Sequence, residues 1–510
     1  MMLRRLLHIF MAAATVIAFT ACNSDDGQEG AGLPPFGSCY LNFAISIDNG
    51  ETKTRADVPT GGENGDGREA GFERENTITG ITVILYKDAA GINTAGDPTL
   101  DLVRYFPVTL SGRDAQGTTY AVKTEEARYE TGQQLISNHK LDLTATYHVI
   151  VIANAPEVAT TLTEGTSKLS DVRDVTLSTL YVGNATMAAD YCTNFVMSSE
   201  QDNTINFGSV TVKNLDGTAY TPGNEMYYDL TSQPVVIERM AARIDFWAKN
   251  SNGYKTSVDN AAYTTPGYEY DVTASTDKFV VTGIVPFNLV NGNATYGTEY
   301  LIKRLRTAIA DATTTSYLAD EGTDTWVIDP KTLTAKGTSD APVLTSSLES
   351  VYTLIGDGTK LENTTDNPYY HSIAAMHGST TGKSTIDSKE NVVVAYPMEN
   401  CLEPASKLYY QATGIAVVGY YYVNGTGTGT RYVYLAYLRH QGNAESYDVQ
   451  PYTTPLGTDA VMGSTPAMAF GVVRNNIYRV NINSIDKKGS VELAIKVKKW
   501  DPFTHAFIYM

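Results

Sequence analysis

Apolar and polar residues alternate with a period of two from Cys39 to Asp48. Leu41, Phe43, Ile45 and Ile47 fall on one face, and Asn42, Ser46 and Asp48 on the other, which predicts a half-buried strand. The pattern then collapses. Residues 49–69 read NGETKTRADVPTGGENGDGRE, with five Gly and almost nothing apolar. Strand signals resume at Ile78–Tyr86, Thr146–Ala153 and a long run Val235–Phe246. More follow at Lys278–Pro286, Asn391–Tyr396, Gly414–Val423, Thr430–Leu438, Ile477–Ile485 and Ser490–Lys498. They are short, β-branched and separated by Gly/Asn/Asp turns, a spacing that suggests β-sandwich domains. Two stretches read as helices on a sheet edge: Lys168–Val175, and Tyr300–Ala312 with Leu301, Leu305 and Ile309 four apart. A Gly/Asn/Ser-rich patch (Lys249–Gly253) after the long strand places a domain boundary near Trp247.

Both ends of the chain stand out. Arg4 and Arg5 precede a mostly apolar run, Leu6–Phe19, and then small Thr20 and Ala21 before Cys22. That is the order of a secretory signal. A run of about fourteen residues is short for a bilayer span. The small residue before Cys resembles a bacterial lipobox, in which Cys22 is lipidated and becomes the first residue. Asn23–Pro35 is polar, acidic and Gly/Pro-rich, and reads as a tether. At the other end Val491, Leu493, Ile495 and Val497 alternate with Glu492, Ala494, Lys496 and Lys498. After Trp500-Asp-Pro502 comes the apolar Phe503-Thr-His-Ala-Phe-Ile-Tyr-Met510. Termini fray unless tied down. This one must find a sheet in its own subunit or in another, and the pattern leaves both open.

Composition narrows the class. The 510 residues are 42% hydrophobic and 18% charged, which allows two to four globular domains and argues against disorder. Net charge is −18 without basic blocks, against nucleic acid or an anionic membrane surface as partner. Seven scattered His and four Cys leave little material for a metal or redox site, and no cofactor is expected. Cys39, Cys192 and Cys401 suit no zinc spacing and read as buried thiols, with a Cys192–Cys401 disulfide left open. No GxSxG, HExxH or Walker loop occurs. The Gly425–Gly429 run has no Lys after it and lies between Tyr/Val-rich strands, so it reads as a hairpin turn. The Tyr420–Tyr422, Tyr432, Tyr434 and Tyr437 cluster reads as a sheet face before it reads as a sugar platform. Glu238, Arg239 and Arg243 read as a structural ion pair at the domain junction. Arg55-Ala56 sits in the polar linker and is either an incidental surface arginine or a processing site.

Taken in order, these segments resemble the fimbrillins of Bacteroidetes, the subunits of type V pili, most of all the minor-fimbrium stalk type of Porphyromonas. The likeness rests on the lipobox at Cys22, the strand followed by Thr54-Arg55-Ala56, and Val236-Ile-Glu-Arg-Met-Ala-Ala-Arg243. It continues through Tyr396-Pro-Met-Glu-Asn400, Gly471-Val-Val-Arg-Asn-Asn-Ile-Tyr478 with Arg479–Ile485, and the terminal aromatic tail. Most of Trp247–Lys389 aligns with nothing in it. The resemblance implies a mainly β chain of two transthyretin-like, Greek-key β-sandwich domains with a few short helices. It implies a signal peptide at 1–21, a propeptide at 22–55, domains at 56–247 and 248–510, and a donor segment at about 490–510. An outer-membrane lipoprotein precursor would be cut after Arg55 by an Arg-specific protease, which frees the strand carrying Leu41, Phe43, Ile45 and Ile47. The tail of another subunit, with Val491, Leu493, Ile495, Val497, Phe503, Phe507 and Tyr509, would fill the vacancy. The product is a head-to-tail polymer at the cell surface that joins anchor and tip subunits and supports adhesion and biofilm formation. The alternative is a non-polymerising surface lipoprotein: an anchor, a tip adhesin or a glycan-binding protein. A secreted hydrolase has no motif behind it.

Overall fold

A computed structural model describes residues 38–47, 68–87, 98–108, 122–125, 128–137, 146–174, 194–199, 204–221, 224–287, 318–321, 324–327, 370–378, 391–397, 400–401, 413–438, 447–449, 471–472, 474–486 and 491–501. The first strands are β1 (Ser38–Ile47), β2 (Arg68–Ala70), β3 (Gly80–Lys87), β4 (Leu100–Pro107) and β5 (Val122–Glu125). Then come β6 (Arg128–Glu130), β7 (Gln134–Ser137), β8 (Thr146–Ala153), β9 (Met197–Ser199), β10 (Thr204–Asn206) and β11 (Thr211–Asn214). The long β12 (Met226–Arg239) leads to β13 (Arg243–Trp247), β14 (Tyr254–Lys255), β15 (Gly267–Asp271) and β16 (Lys278–Phe287). Next are β17 (Leu318–Glu321), β18 (Asp324–Val327), β19 (His371–Ser372), β20 (Asn391–Ala395) and β21 (Asn400–Cys401). Last come β22 (Gly414–Tyr422), β23 (Thr430–Tyr437), β24 (Tyr447–Val449), β25 (Gly471–Val472), β26 (Asn476–Ile485) and β27 (Val491–Asp501).

The protein is mainly β. An 11-stranded sheet runs β4-β3-β8-β9-β12-β1-β6-β5, with β10 on β8, β11 on β12 and β7 on β1. It closes over one hydrophobic core containing Leu41, Val83, Ile150, Tyr228 and Ile237. A second sheet orders β2-β27-β26-β13-β20, with β24 on β27. A third orders β14-β15-β16-β22-β23, with β19 on β16. These two share a core: Phe246, Val480 and Leu493 from one pack with Phe279, Val417 and Tyr434 from the other. That is a sandwich, with alternate residues of each strand turned inward.

The alternation read from the sequence gives β8 its bounds to the residue and β16, β22 and β26 to within one residue of each end. One expectation is corrected. Val235–Phe246 is not a single strand: it breaks at Met240–Ala242, where the chain leaves the first sheet for the second. There Met240 N–H donates to Val196 O (3.0 Å), Ala242 N–H to Pro397 O (2.8 Å), and Ala241 O accepts from Asn475 N–H (2.9 Å). These partners come from three distant segments, so the crossing is invisible to a local pattern.

Three short helices are described: α1 (Pro156–Thr161), α2 (Leu169–Asp174) and α3 (Ile373–Gly378). α2 is the helix expected at Lys168–Val175, whereas Tyr300–Ala312 lies outside the described residues. The Gly425–Gly429 run turns the β22–β23 hairpin, with Asn424, Gly425 and Gly427 at positive φ. That conformation suits Asn and Gly, and the run is a turn.

Candidate functional site

β1 is the interior strand that the sequence singled out. It pairs in parallel with β12, from Tyr40 opposite Tyr227 to Ile47 opposite Ile237. On its other edge it pairs antiparallel with β7 over Ser38–Leu41 and with β6 over Ala44–Ser46. Between those two, Thr131 completes the wall: its N–H donates to Phe43 O and its hydroxyl accepts from Phe43 N–H, both at 2.9 Å. Leu41, Phe43, Ile45 and Ile47 are 0–2% exposed and lie inside the first core. Each contributes roughly 1.5–3 kcal/mol on burial, so the strand's inward face is worth about 6–12 kcal/mol. Tyr129, opposite Ile45, donates its hydroxyl to Asn76 O (3.2 Å). Burial pushes its phenol up to about 12, so it stays protonated.

Two ties cross from one wall of this groove to the other. Arg128 of β6 donates from Nη2 to Thr231 O of β12 at 2.8 Å. Gln133, between β6 and β7, donates from Nε2 to Leu215 O, beyond β11, at 2.5 Å.

The terminal strand is placed differently. Val491, Leu493 and Ile495 are buried in the second core of their own subunit. β27 pairs along its length with β26, from Val491 opposite Ile485 to Lys499 opposite Asn476, and Val497 lies opposite Tyr478. Its other edge carries β24 at Val491–Leu493 and, in parallel, β2 at Lys499–Asp501. Cys22, Arg55, Ala56, Phe503, Phe507 and Tyr509 lie outside the described residues, as does Cys192.

The weak motifs quoted from the sequence converge where the chain changes sheet. Arg239, Arg243, Arg474 and Arg479 are 0–1% exposed there. Arg243 forks onto Asp245 (Nε–Oδ1 3.0 Å, Nη2–Oδ2 2.9 Å) and reaches Glu75 (Nη1–Oε2 3.2 Å). Glu75 also accepts from the Tyr396 hydroxyl (2.6 Å) and from Phe72 N–H (2.7 Å). Arg239 donates to Glu75 O and to the side chains of Asn475 and Asn76. Arg474 reaches the Ser198 hydroxyl (3.3 Å), and Arg479 reaches Asp245 (3.7 Å). Arg239 and Arg243 are thus the structural charges that the sequence suggested. The carboxylates that Arg243 engages, Glu75 and Asp245, were not foreseen. Glu75 lies 168 residues from Arg243, and no local signal announces it. Charges this deep hold only when hydrogen-bonded from several sides, which fixes the geometry of the junction.

Among the described residues no group of three or more His, Cys, Asp or Glu is placed to hold a metal ion, and no helix is long and apolar enough to cross a membrane. Tyr421, Tyr422 and Tyr434 are buried in the sheet rather than offered to a ligand.

No protein-family model matches the chain, and no curated protein matches it. Solved structures do, at low identity. A provisionally assigned cell adhesion protein of Parabacteroides distasonis is 16% identical over 92% of this chain and 99% of its own, with a TM-score of 0.39. The tip fimbrial protein Mfa3 of Porphyromonas gingivalis, with a C-terminal truncation, is 9% identical over 91% and 100%, with a TM-score of 0.37. A fimbrilin (fimA) of Porphyromonas gingivalis is 12% identical over 91% and 99%, with a TM-score of 0.36. These neighbours are fimbrial and adhesion proteins of Bacteroidetes. Likeness this distant carries no functional argument by itself.

Proposed function

We propose that the chain is a structural subunit of a cell-surface fimbrium that assembles by exchange of β1 for a strand of another subunit. The observation that carries this reading is the position of β1. It is an interior strand with a wholly apolar inward face, and it precedes a Gly-rich polar linker containing Arg55-Ala56. A cut there frees a strand whose removal exposes two walls with unpaired backbone and an apolar floor. Such a vacancy is filled by sheet augmentation, the mode that chaperone–pilin complexes illustrate.

The donor is the segment after β27. Val491, Leu493 and Ile495 already serve their own core, so the exchanging side chains are Phe503, Phe507 and Tyr509. Donor and groove are different surfaces of one subunit, so the contact is head-to-tail and grows without closing. The precursor reaches the outer membrane as a lipoprotein on Cys22, and an Arg-specific protease acts after Arg55. Its partners are other copies and the anchor and tip subunits, and its role is assembly and adhesion rather than catalysis.

N-terminal sequencing of surface protein should begin at Ala56, and unboiled gels should show a ladder of multimers. Deleting Phe503–Met510 should abolish the ladder while the subunit still folds. A surface protein that begins at Cys22 and stays monomeric would instead mark a lipid-held anchor.

A further inference from the structure

β1 has an outward face as well, and there one position differs from the rest. Tyr40, Asn42 and Ser46 are half-buried, but Ala44 is 1% exposed. The cause lies in the two walls. On the β12 side the register jumps from Leu230, opposite Phe43, to Val235, opposite Ile45. Thr231–Pro234 therefore leave the ladder beside Ala44. Asp229 braces this excursion by accepting from Thr231 N–H (3.1 Å) and the Thr231 hydroxyl (2.6 Å), and it is paired with Lys213. On the β6 side, Glu130 lies opposite Ala44 and Arg128 opposite Ser46. Directly opposed side chains share a face, so both are on the outward side. Arg128 bonds Glu130 (3.3 Å) and reaches past β1 to Thr231 O (2.8 Å). Its guanidinium thus arches over the strand and links the walls across it.

We propose that this arch reads the strand lying in the groove, admitting only one whose central outward residue is as small as Ala44, and that in the polymer this residue is Ala506 of a second copy. The inference rests on the exchange reading above and deepens it by fixing the register. The inward slots of β1 are positions 41, 43, 45 and 47, with Ala44 at their centre. The tail Phe503-Thr-His-Ala-Phe-Ile-Tyr509 offers Phe503, His505, Phe507 and Tyr509 at the same spacing, with Ala506 at its centre. Ala506 therefore meets the arch whichever way the incoming strand runs. A slip of one residue would put His505 or Phe507 under the guanidinium and would turn the aromatic face outward. Thr131 adds a point that reads backbone alone, since it pairs both the N–H and the C=O of whatever residue takes the place of Phe43.

Two arms test this in the full chain. In the first, Cys192 and Cys401 are replaced by Ser, and Glu130→Cys is combined with Ala506→Cys, Thr504→Cys or Ile508→Cys. Facing positions lie within disulfide reach and displaced ones do not. The 506 pair should give a reducible covalent ladder on boiled gels, several-fold stronger than the 504 or 508 pair, and a stronger 504 or 508 ladder overturns the register. In the second arm, Ala506→Leu should weaken assembly about tenfold. Thr504→Leu, a large side chain on the same outward face but away from the guanidinium, should weaken it far less. An undiminished ladder from Ala506→Leu overturns the arch as reader, as does an equal loss from Thr504→Leu. A wild-type ladder that survives deletion of Phe503–Met510 defeats the exchange reading itself, which separates the two failures.

Discussion

Phe43→Ala should weaken the precursor and leave the fibre untouched. Phe43 is 1% exposed, packs in the first core and holds Thr131 by both backbone bonds. Alanine keeps those backbone bonds and removes the ring. Truncating a buried Phe costs about 3–5 kcal/mol in transfer and cavity terms. A domain of this size moves about 2–4 °C per kcal/mol, so the unfolding temperature should drop by roughly 6–20 °C. The assay is thermal unfolding of the uncut chain, made without lipid by Cys22→Ala. Fibres isolated from cells carrying Phe43→Ala should then dissociate at the wild-type temperature, because residue 43 has left with the propeptide. A fibre weakened in step with the precursor would mean that β1 stays in place, and strand exchange would be wrong. A precursor with unchanged stability would show that β1 is not the core strand described here.

Arg55→Ala should leave uncut precursor on the cell surface, read by immunoblot, with no band from cleavage at Arg68 or Arg74. Arg68 is in β2, paired with β27, and Arg74 is in the short turn Glu73–Asn76, whereas proteases take extended, unpaired chain. Glu75→Ala should cost about 3–5 kcal/mol in urea unfolding, since it strips a buried partner from Arg243 and Tyr396, and a loss under 1 kcal/mol would contradict the buried network. His371, 3% exposed on β19, has its imidazole held down to about 4 by burial. Between pH 6.5 and 4 the unfolded chain binds more protons than the folded one, so stability should fall as pH drops through that window, by roughly 3 kcal/mol in all. His371→Gln should flatten urea midpoints measured at pH 7 and pH 4.5, and an equal slope in both proteins would refute the assignment.

What the sequence made legible, and what it hid, follows from what a local pattern encodes. A period of two reports which residues share a face, and that was enough for Leu41–Ile47, for β8 and for Val491–Ile495. It does not report the neighbour. β1 lies between β12, almost two hundred residues later, and the β6–β7 wall, and nothing in Cys39–Asp48 says so. The terminal strand shows the same gap, because alternation in Val491–Val497 suits a home sheet and a foreign one equally. Glu75 sits in the polar stretch Glu73-Arg-Glu-Asn76, which reads as solvated loop until Arg243 and Tyr396 arrive from afar. The break at Met240–Ala242 was hidden for the opposite reason, since those apolar residues continue the strand pattern while their N–H and C=O groups turn to other segments. Helix α1 did leave a signal in Pro156 at its first turn, where a missing N–H costs nothing.

A groove that is to be emptied and refilled must outlast the interval, and the ties around β1 bear on that. If β1 were the sole link between its neighbours, its departure would let β12 and the β6–β7 wall close together or drift apart. Arg128 to Thr231 and Gln133 to Leu215 both cross the gap without using any atom of β1. Tyr129 adds a third anchor, from β6 to Asn76, in the segment that continues into the Glu75 network. That segment begins with β2, hydrogen-bonded to β27 where the tail starts. The residues after the expected cut therefore join the groove wall, the buried Arg cluster and the root of the donor within nine positions of chain. Proteolysis at Arg55 would remove one strand's burial and leave every one of these connections standing, so the vacated groove keeps its spacing and a new strand need only dock, not rebuild it. Preorganisation of this kind lowers the entropic cost of binding, and on the exchange reading it would let a subunit that has lost an interior strand still present a defined site.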